Sequence, residues 1–115
     1  MSVEQDERLL SLATQFLYEP GELEREFNVL ADEWRQQTAM LSFVDKKVMH
    51  PAYQRIIGMG KQVVPLILRE LQERPSYWFW ALKSITGADP VKPGDTFAKA
   101  AAAWIDWGKA QGYIA

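Results

Sequence analysis

His50 is the single histidine of the chain, and no cysteine accompanies it. A general base needs a nucleophile and an orienting partner, and thiolate chemistry, disulfides and Cys-ligated zinc are excluded outright. His50 also stands directly before Pro51, where a capping or turn-forming imidazole is explanation enough. Ser42 and Ser76 occupy positions that suit helix caps better than nucleophiles. A metal site would have to be built from oxygen alone, yet the acids follow solvent-facing stripes and lack the alternating loop of a calcium site. Asp89 and Asp95 flank a proline-rich loop, where capping is their expected use. Gly58-Met59-Gly60 lacks the GxxxxGK[ST] order of a phosphate loop and reads as a helix terminator. Paired carboxylates from distant helices stay open, since spacing alone does not address them. The expectation is a non-enzymatic protein with no catalytic residues, no metal and no cofactor.

Two kinds of binding chemistry remain. Tyr77, Trp78, Phe79, Trp80, Trp104 and Trp107 carry more ring surface than one helical stripe can hide, and interfaces favour such anchors. Tyr77, Trp78, Trp80 and Trp107 are therefore the candidate partner-binding residues, the partner being another protein or a second copy of the chain. Trp80 leads, because it points away from Ala81, Leu82 and Ile85; packing against the first two helices is its alternative. The second chemistry is basic. Lys46, Lys47, Arg55, Lys61, Arg69 and Arg74 could line one edge, with Tyr77 or Trp80 stacking on bases. A sequence pI near 5.4 and the lack of a helix-turn-helix pattern make a nucleic-acid accessory role the second reading, with contact through a larger complex.

These residues must be held by helices, because no segment of useful length alternates with the period of a strand. Leu9, Leu12, Ala13 and Phe16 recur at helical spacing, with Leu10 and Leu17 widening the stripe, so a first helix is expected over Val3 to Tyr18. Glu19-Pro20-Gly21 stops it. A second helix is expected over Glu22 to Met40, with Leu23, Phe27, Leu30, Ala31, Trp34 and Leu41 on one face. The two suggest an acidic antiparallel hairpin over residues 1–41. Ser42 is expected to cap a short turn of helix in FVDKKVM. Pro51 and Pro65 suit the first turn of two further helices, where a missing N–H costs nothing. Ser76 is the expected cap of a helix over Tyr77 to Thr86, ended by Gly87. Asp95 or Thr96 should cap a last helix running to about Gln111, with Gly112 reversing the chain behind it.

The stretch Val63 to Gly87, VVPLILRELQERPSYWFWALKSITG, resembles one unit of a HEAT-like helical repeat. The likeness rests on a VxPLxxxL-type first helix, a turn at Arg74-Pro75, and a second helix carrying Ala81, Leu82 and Ile85. It implies an all-α fold: a compact bundle of five to six helices around one HEAT-like hairpin, with residues 42–115 as core and closing helix of a single 1–115 domain. The C-terminal two-thirds also resemble a group of small uncharacterised bacterial proteins that share the WFWAL-K-ITG-DPV and W-WG---GY pattern. That resemblance implies an accessory subunit of a bacterial or mobile-element complex. The acidic opening MSVEQDERLL lacks the order of a secretory signal, no run is long and apolar enough for a membrane span, and cysteine is absent; a cytoplasmic location is the simplest expectation.

Overall fold

Proline and glycine punctuation cuts the chain into helices that are mostly too short to stand alone, so their apolar stripes must find one another. The computed structural model describes residues 21–115. The helix expected over Val3 to Tyr18, half of the acidic hairpin, lies outside the described residues. Six α-helices follow: α1 (Glu22–Thr38), α2 (Val44–Val48), α3 (Pro51–Gly58), α4 (Val64–Glu73), α5 (Phe79–Thr86) and α6 (Phe97–Ala110). A 3₁₀ turn, Gly60–Val63, joins α3 to α4, and no strand occurs among the described residues. The fold is all-α. No helix among the described residues is long and apolar enough to cross a membrane.

Gly21, at φ 83°, turns the chain into α1, a conformation that glycine adopts without the Cβ penalty. Phe27, Leu30, Ala31, Trp34 and Thr38 form the buried face of α1. The Thr38 hydroxyl donates to the Trp34 carbonyl at 2.6 Å, and the helix stops there, two residues short of Met40. Leu41, expected on the buried face, is consequently exposed. Ser42 does not cap α2; Phe43 holds that position, with no side-chain cap. What fixes α2 is a pair of side chains: the Trp34 Nε1–H donates to the Lys47 carbonyl at 2.8 Å, and the Gln54 amide donates to the Val48 carbonyl at 2.7 Å.

His50 caps α3. Its Nδ1 accepts from the Ala52 N–H at 3.1 Å, while Nε2 lies 2.6 Å from Gln37 Oε1. That pattern fits the tautomer protonated on Nε2, and Pro51 takes the first helical position behind it. At α5 the expected cap fails. Ser76 makes no side-chain cap, the helix begins at Phe79 instead of Tyr77, and Trp78 stands at its N-cap position. The service comes from across the fold: Tyr53 on α3 accepts the Ala81 N–H at 2.9 Å and donates to the Tyr77 carbonyl at 2.9 Å. Thr96 caps α6 by accepting from the Lys99 N–H at 3.2 Å. At the other end of α6, Gly112 (φ 81°) turns the chain back, so that Tyr113 N–H reaches the Gly108 carbonyl at 2.9 Å.

α1 packs chiefly on α3, α3 on α5, and α4 on α6. The centre is aromatic. Trp78 sits 4.6 Å from the Trp34 ring, 5.5 Å from Tyr53 in a near-parallel stack, and 5.8 Å from Phe27. Each such ring removes about 150–250 Å² from water, or about 4–6 kcal/mol as an upper bound. This cluster binds three chain segments that are far apart in sequence, α1, α3 and the start of α5, and it leaves one neighbour, Trp80, outside.

Candidate functional site

On α5, residues 78, 81, 82 and 85 share the inward face, and Trp80, turned about 200° from Trp78, is carried to the outside. Trp80 is 52% exposed. It meets the short helix α2, whose Val44 and Val48, with Met49 just beyond the helix, form the opposite wall of a groove of about 640 Å³, with Asp45 and Lys46 at its margin. On the other flank of Trp80 lies a second hollow of about 280 Å³, lined by Val44, Phe79, Val91 and Trp104 and edged by Lys83 and Asp89. Val44 and Trp80 border both, so the two form one apolar surface with the indole as a ridge between them. Lys83 and Asp89 pair at 3.2 Å. Phe43 and Met49, 64% and 69% exposed, extend the surface outward. An α2 of five residues is too short to bury all its apolar side chains: Val48 goes inward while Val44 and the flanking Phe43 and Met49 remain in contact with solvent.

The four residues expected to bind a partner part company. Trp78 is fully enclosed and presents nothing to a partner; Phe27, Trp34 and Tyr53 cover it from α1 and α3, a closure that the spacing within α5 does not reveal. Trp107 is half-buried, stacked on Tyr113 at 5.5 Å and edge-on to Trp104 at 5.3 Å, and it does not line the groove. Tyr77 keeps partial exposure, its ring edge-on to Phe97 at 5.1 Å. Of the four, Trp80 alone is more than half exposed. The α2 wall of Val44, Val48 and Met49 went unread, and the apolar pair at each end of FVDKKVM was the available signal.

The six basic residues are distributed over several surfaces. Arg69 and Arg74 border a polar cleft of about 360 Å³ together with Glu24, Asp32, Glu70 and Glu73. At its floor Glu70 is buried, with its two oxygens held at 2.8 Å by Arg35 and Arg74. Arg35 also pairs with Asp32. The bond to Glu70, and then its charge, push the Arg74 guanidinium further up from its ordinary value. Both Glu70 oxygens are engaged, which leaves it a clasp between α1 and α4 and a poor proton shuttle. Arg55 reaches Glu26 at 3.5 Å, and Lys61 lies exposed on the 3₁₀ turn. Lys46 and Lys47 belong to the groove end: their ammonium groups lie over the Phe43 and Tyr77 rings, at 5.7 and 5.6 Å.

His50 is committed to Ala52 and Gln37. Asp95 accepts from the Lys92 N–H at 2.9 Å, and Asp89 is paired to Lys83. No group of three or more carboxylates and imidazoles with the spacing of a metal site occurs among the described residues. Comparison with protein-family models, with curated proteins and with solved structures finds no match to this chain.

Proposed function

We propose that the chain is a non-enzymatic protein–protein interaction module, and that the groove between α2 and α5 receives the apolar side of a partner helix with Trp80 as the anchor. The observation that carries this reading is the exposed Trp80 indole between two apolar hollows, in a fold whose other central tryptophans, Trp34, Trp78 and Trp104, are enclosed. A partner helix laid there would cover Trp80, Val44 and Met49 together, the arrangement of a buried anchor inside an apolar ring. The likeness of Val63 to Gly87 to a HEAT-like unit agrees with it, since such units offer helix surfaces to other proteins. An accessory subunit of a bacterial or mobile-element complex, in the cytoplasm, is the setting that the sequence resemblance adds.

The test compares capture from host lysate by the wild-type chain, by Trp80→Ala and by Arg69→Ala. A protein retained by the first and third, and lost with Trp80→Ala at unchanged melting temperature, supports the reading. Equal retention by all three sinks it. A nucleic-acid accessory role is the second reading, supported by Lys46 and Lys47, whose ammonium groups lie over rings and form no ion pair with another described residue. It requires binding that weakens steeply as salt rises.

A further inference from the structure

We propose that in the free protein this groove is filled by a second copy of the chain, the Trp80 indole of each copy entering the other's groove across a two-fold axis. The proposal rests on the docking reading above and names an occupant for the same surface.

A two-fold contact sets one patch against itself, so the patch must carry both halves of every interaction it makes. Shape meets that condition first. Trp80, more than half exposed, stands as a ridge directly beside the groove of about 640 Å³. With each ridge in the other's groove, the two indoles become neighbours at the axis. Each then lies between the other copy's indole and the other copy's α2 wall of Val44 and Met49. The same operation carries α2 of one copy to the far flank of the other's Trp80, over the hollow of about 280 Å³ that Phe79, Val91 and Trp104 line. Both apolar hollows are covered at once.

Charge is the second and independent support. Asp45 and Lys46 stand on the α2 rim and form no ion pair with another described residue. Lys83 and Asp89 edge the second hollow, with about half of each side chain exposed. Each rim therefore carries one acid and one base. The two-fold lays the α2 rim of one copy against the Lys83–Asp89 rim of the other, so that Asp45 faces Lys83 and Lys46 faces Asp89, twice over. The four charges cancel within the patch, and a patch without net charge meets its own copy without repulsion.

The patch is small, so the expected dimer is weak, with a dissociation constant of about 10–100 µM. Sedimentation of the full chain on both sides of that range reads it. Trp80→Ala, and separately Met49→Asp on the opposite, largely exposed wall, should each weaken the dimer by about tenfold or more. The absence of native cysteine lets the arrangement be read directly. Chains carrying Asp45→Cys are mixed with chains carrying Lys83→Cys and treated with a short bis-maleimide. The expected product joins position 45 of one chain to position 83 of the other, in excess of either symmetric product. A chain that stays monomeric throughout overturns the proposal, as does a dimer untouched by both substitutions or an excess of symmetric cross-links. If the chain is monomeric and capture from lysate still depends on Trp80, the docking reading survives and only the second copy falls. If a Trp80-dependent dimer forms and Trp80→Ala captures from lysate as well as wild type, the second copy stands and the other protein falls.

Discussion

Leu68 occupies the space that Gly108 leaves vacant: a Cβ on Gly108 would stand 2.5 Å from Leu68 Cδ1. α4 and α6 pack tightly here, and Leu68 is fully buried, with no open side to retreat to. Gly108→Ala should therefore destabilise the fold even though alanine is the better helix former by about 1 kcal/mol. Overpacking costs about 1–3 kcal/mol, for a net loss of about 1 kcal/mol in urea unfolding. In a Leu68→Ala background the same change should be neutral or stabilising, because the clash is gone.

Tyr53 serves α5 from 28 residues away. Tyr53→Phe keeps the ring stack with Trp78 but strips the Ala81 N–H of its acceptor in a buried place, for an expected loss of about 1–3 kcal/mol at neutral pH. Burial pushes the Tyr53 phenol well above its ordinary value, and the Ala81 hydrogen bond only partly offsets this. A raised pKa means that the folded state keeps the proton longer than the unfolded chain. The stability it confers is thus complete below pH about 10 and declines as pH rises further. Wild type should lose stability above pH about 10 more steeply than Tyr53→Phe, by up to about 1.4 kcal/mol per pH unit. Denaturant titrations across that range would show the difference.

Trp78 and Trp80 are neighbours with opposite fates, and the pair makes a direct comparison. Trp78→Ala should cost about 3–5 kcal/mol, as a cavity opens among Phe27, Trp34 and Tyr53. Trp80→Ala should leave the melting temperature within about 2 °C, the range of a surface change in a chain of this size. Equal losses for the two would mean that Trp80 belongs to the core.

Glu70 ties α1 to α4 through Arg35 and back to Arg74. Glu70→Ala should cost about 1–3 kcal/mol; a fully enclosed pair would cost more, but here the arginine side chains are 23% and 59% exposed and water relieves them. Arg74→Ala should be much milder, since Arg35 still satisfies the carboxylate. Urea unfolding of both variants tests the order.

Legibility in the sequence followed the range of the interaction. Pro51, Pro65, Gly87, Thr96 and Gly112 act within a turn of their own position, and each stands where its chemistry places it. Ser42 and Ser76 carry the right hydroxyls and cap nothing. Phe43 and Trp78 take those N-cap positions, and a phenol from α3 supplies α5 with its acceptor. That supply depends on tertiary contact, which periodicity within a helix does not encode. Trp78 shows the same limit: its place on the inner stripe of α5 was readable, whereas its closure by rings from α1 and α3 was not. α2 escaped for another reason. Five residues give too few turns to distinguish an inward from an outward side, so the apolar pairs at the ends of FVDKKVM marked the segment without saying which of them would line a groove.

Two side chains fasten α2, the Trp34 indole donating to the Lys47 carbonyl and the Gln54 amide donating to the Val48 carbonyl, and Val48 is the only residue of that helix to enter the core. A segment so lightly anchored should swing open in isolation, well before the bundle melts. In hydrogen–deuterium exchange the amides of Val44–Val48 should trade their protons first, with those of α3 and α4 following only on global unfolding. The floor and far bank of the channel stay rigid while its near bank yields, which lets one cleft accommodate guests of unequal girth.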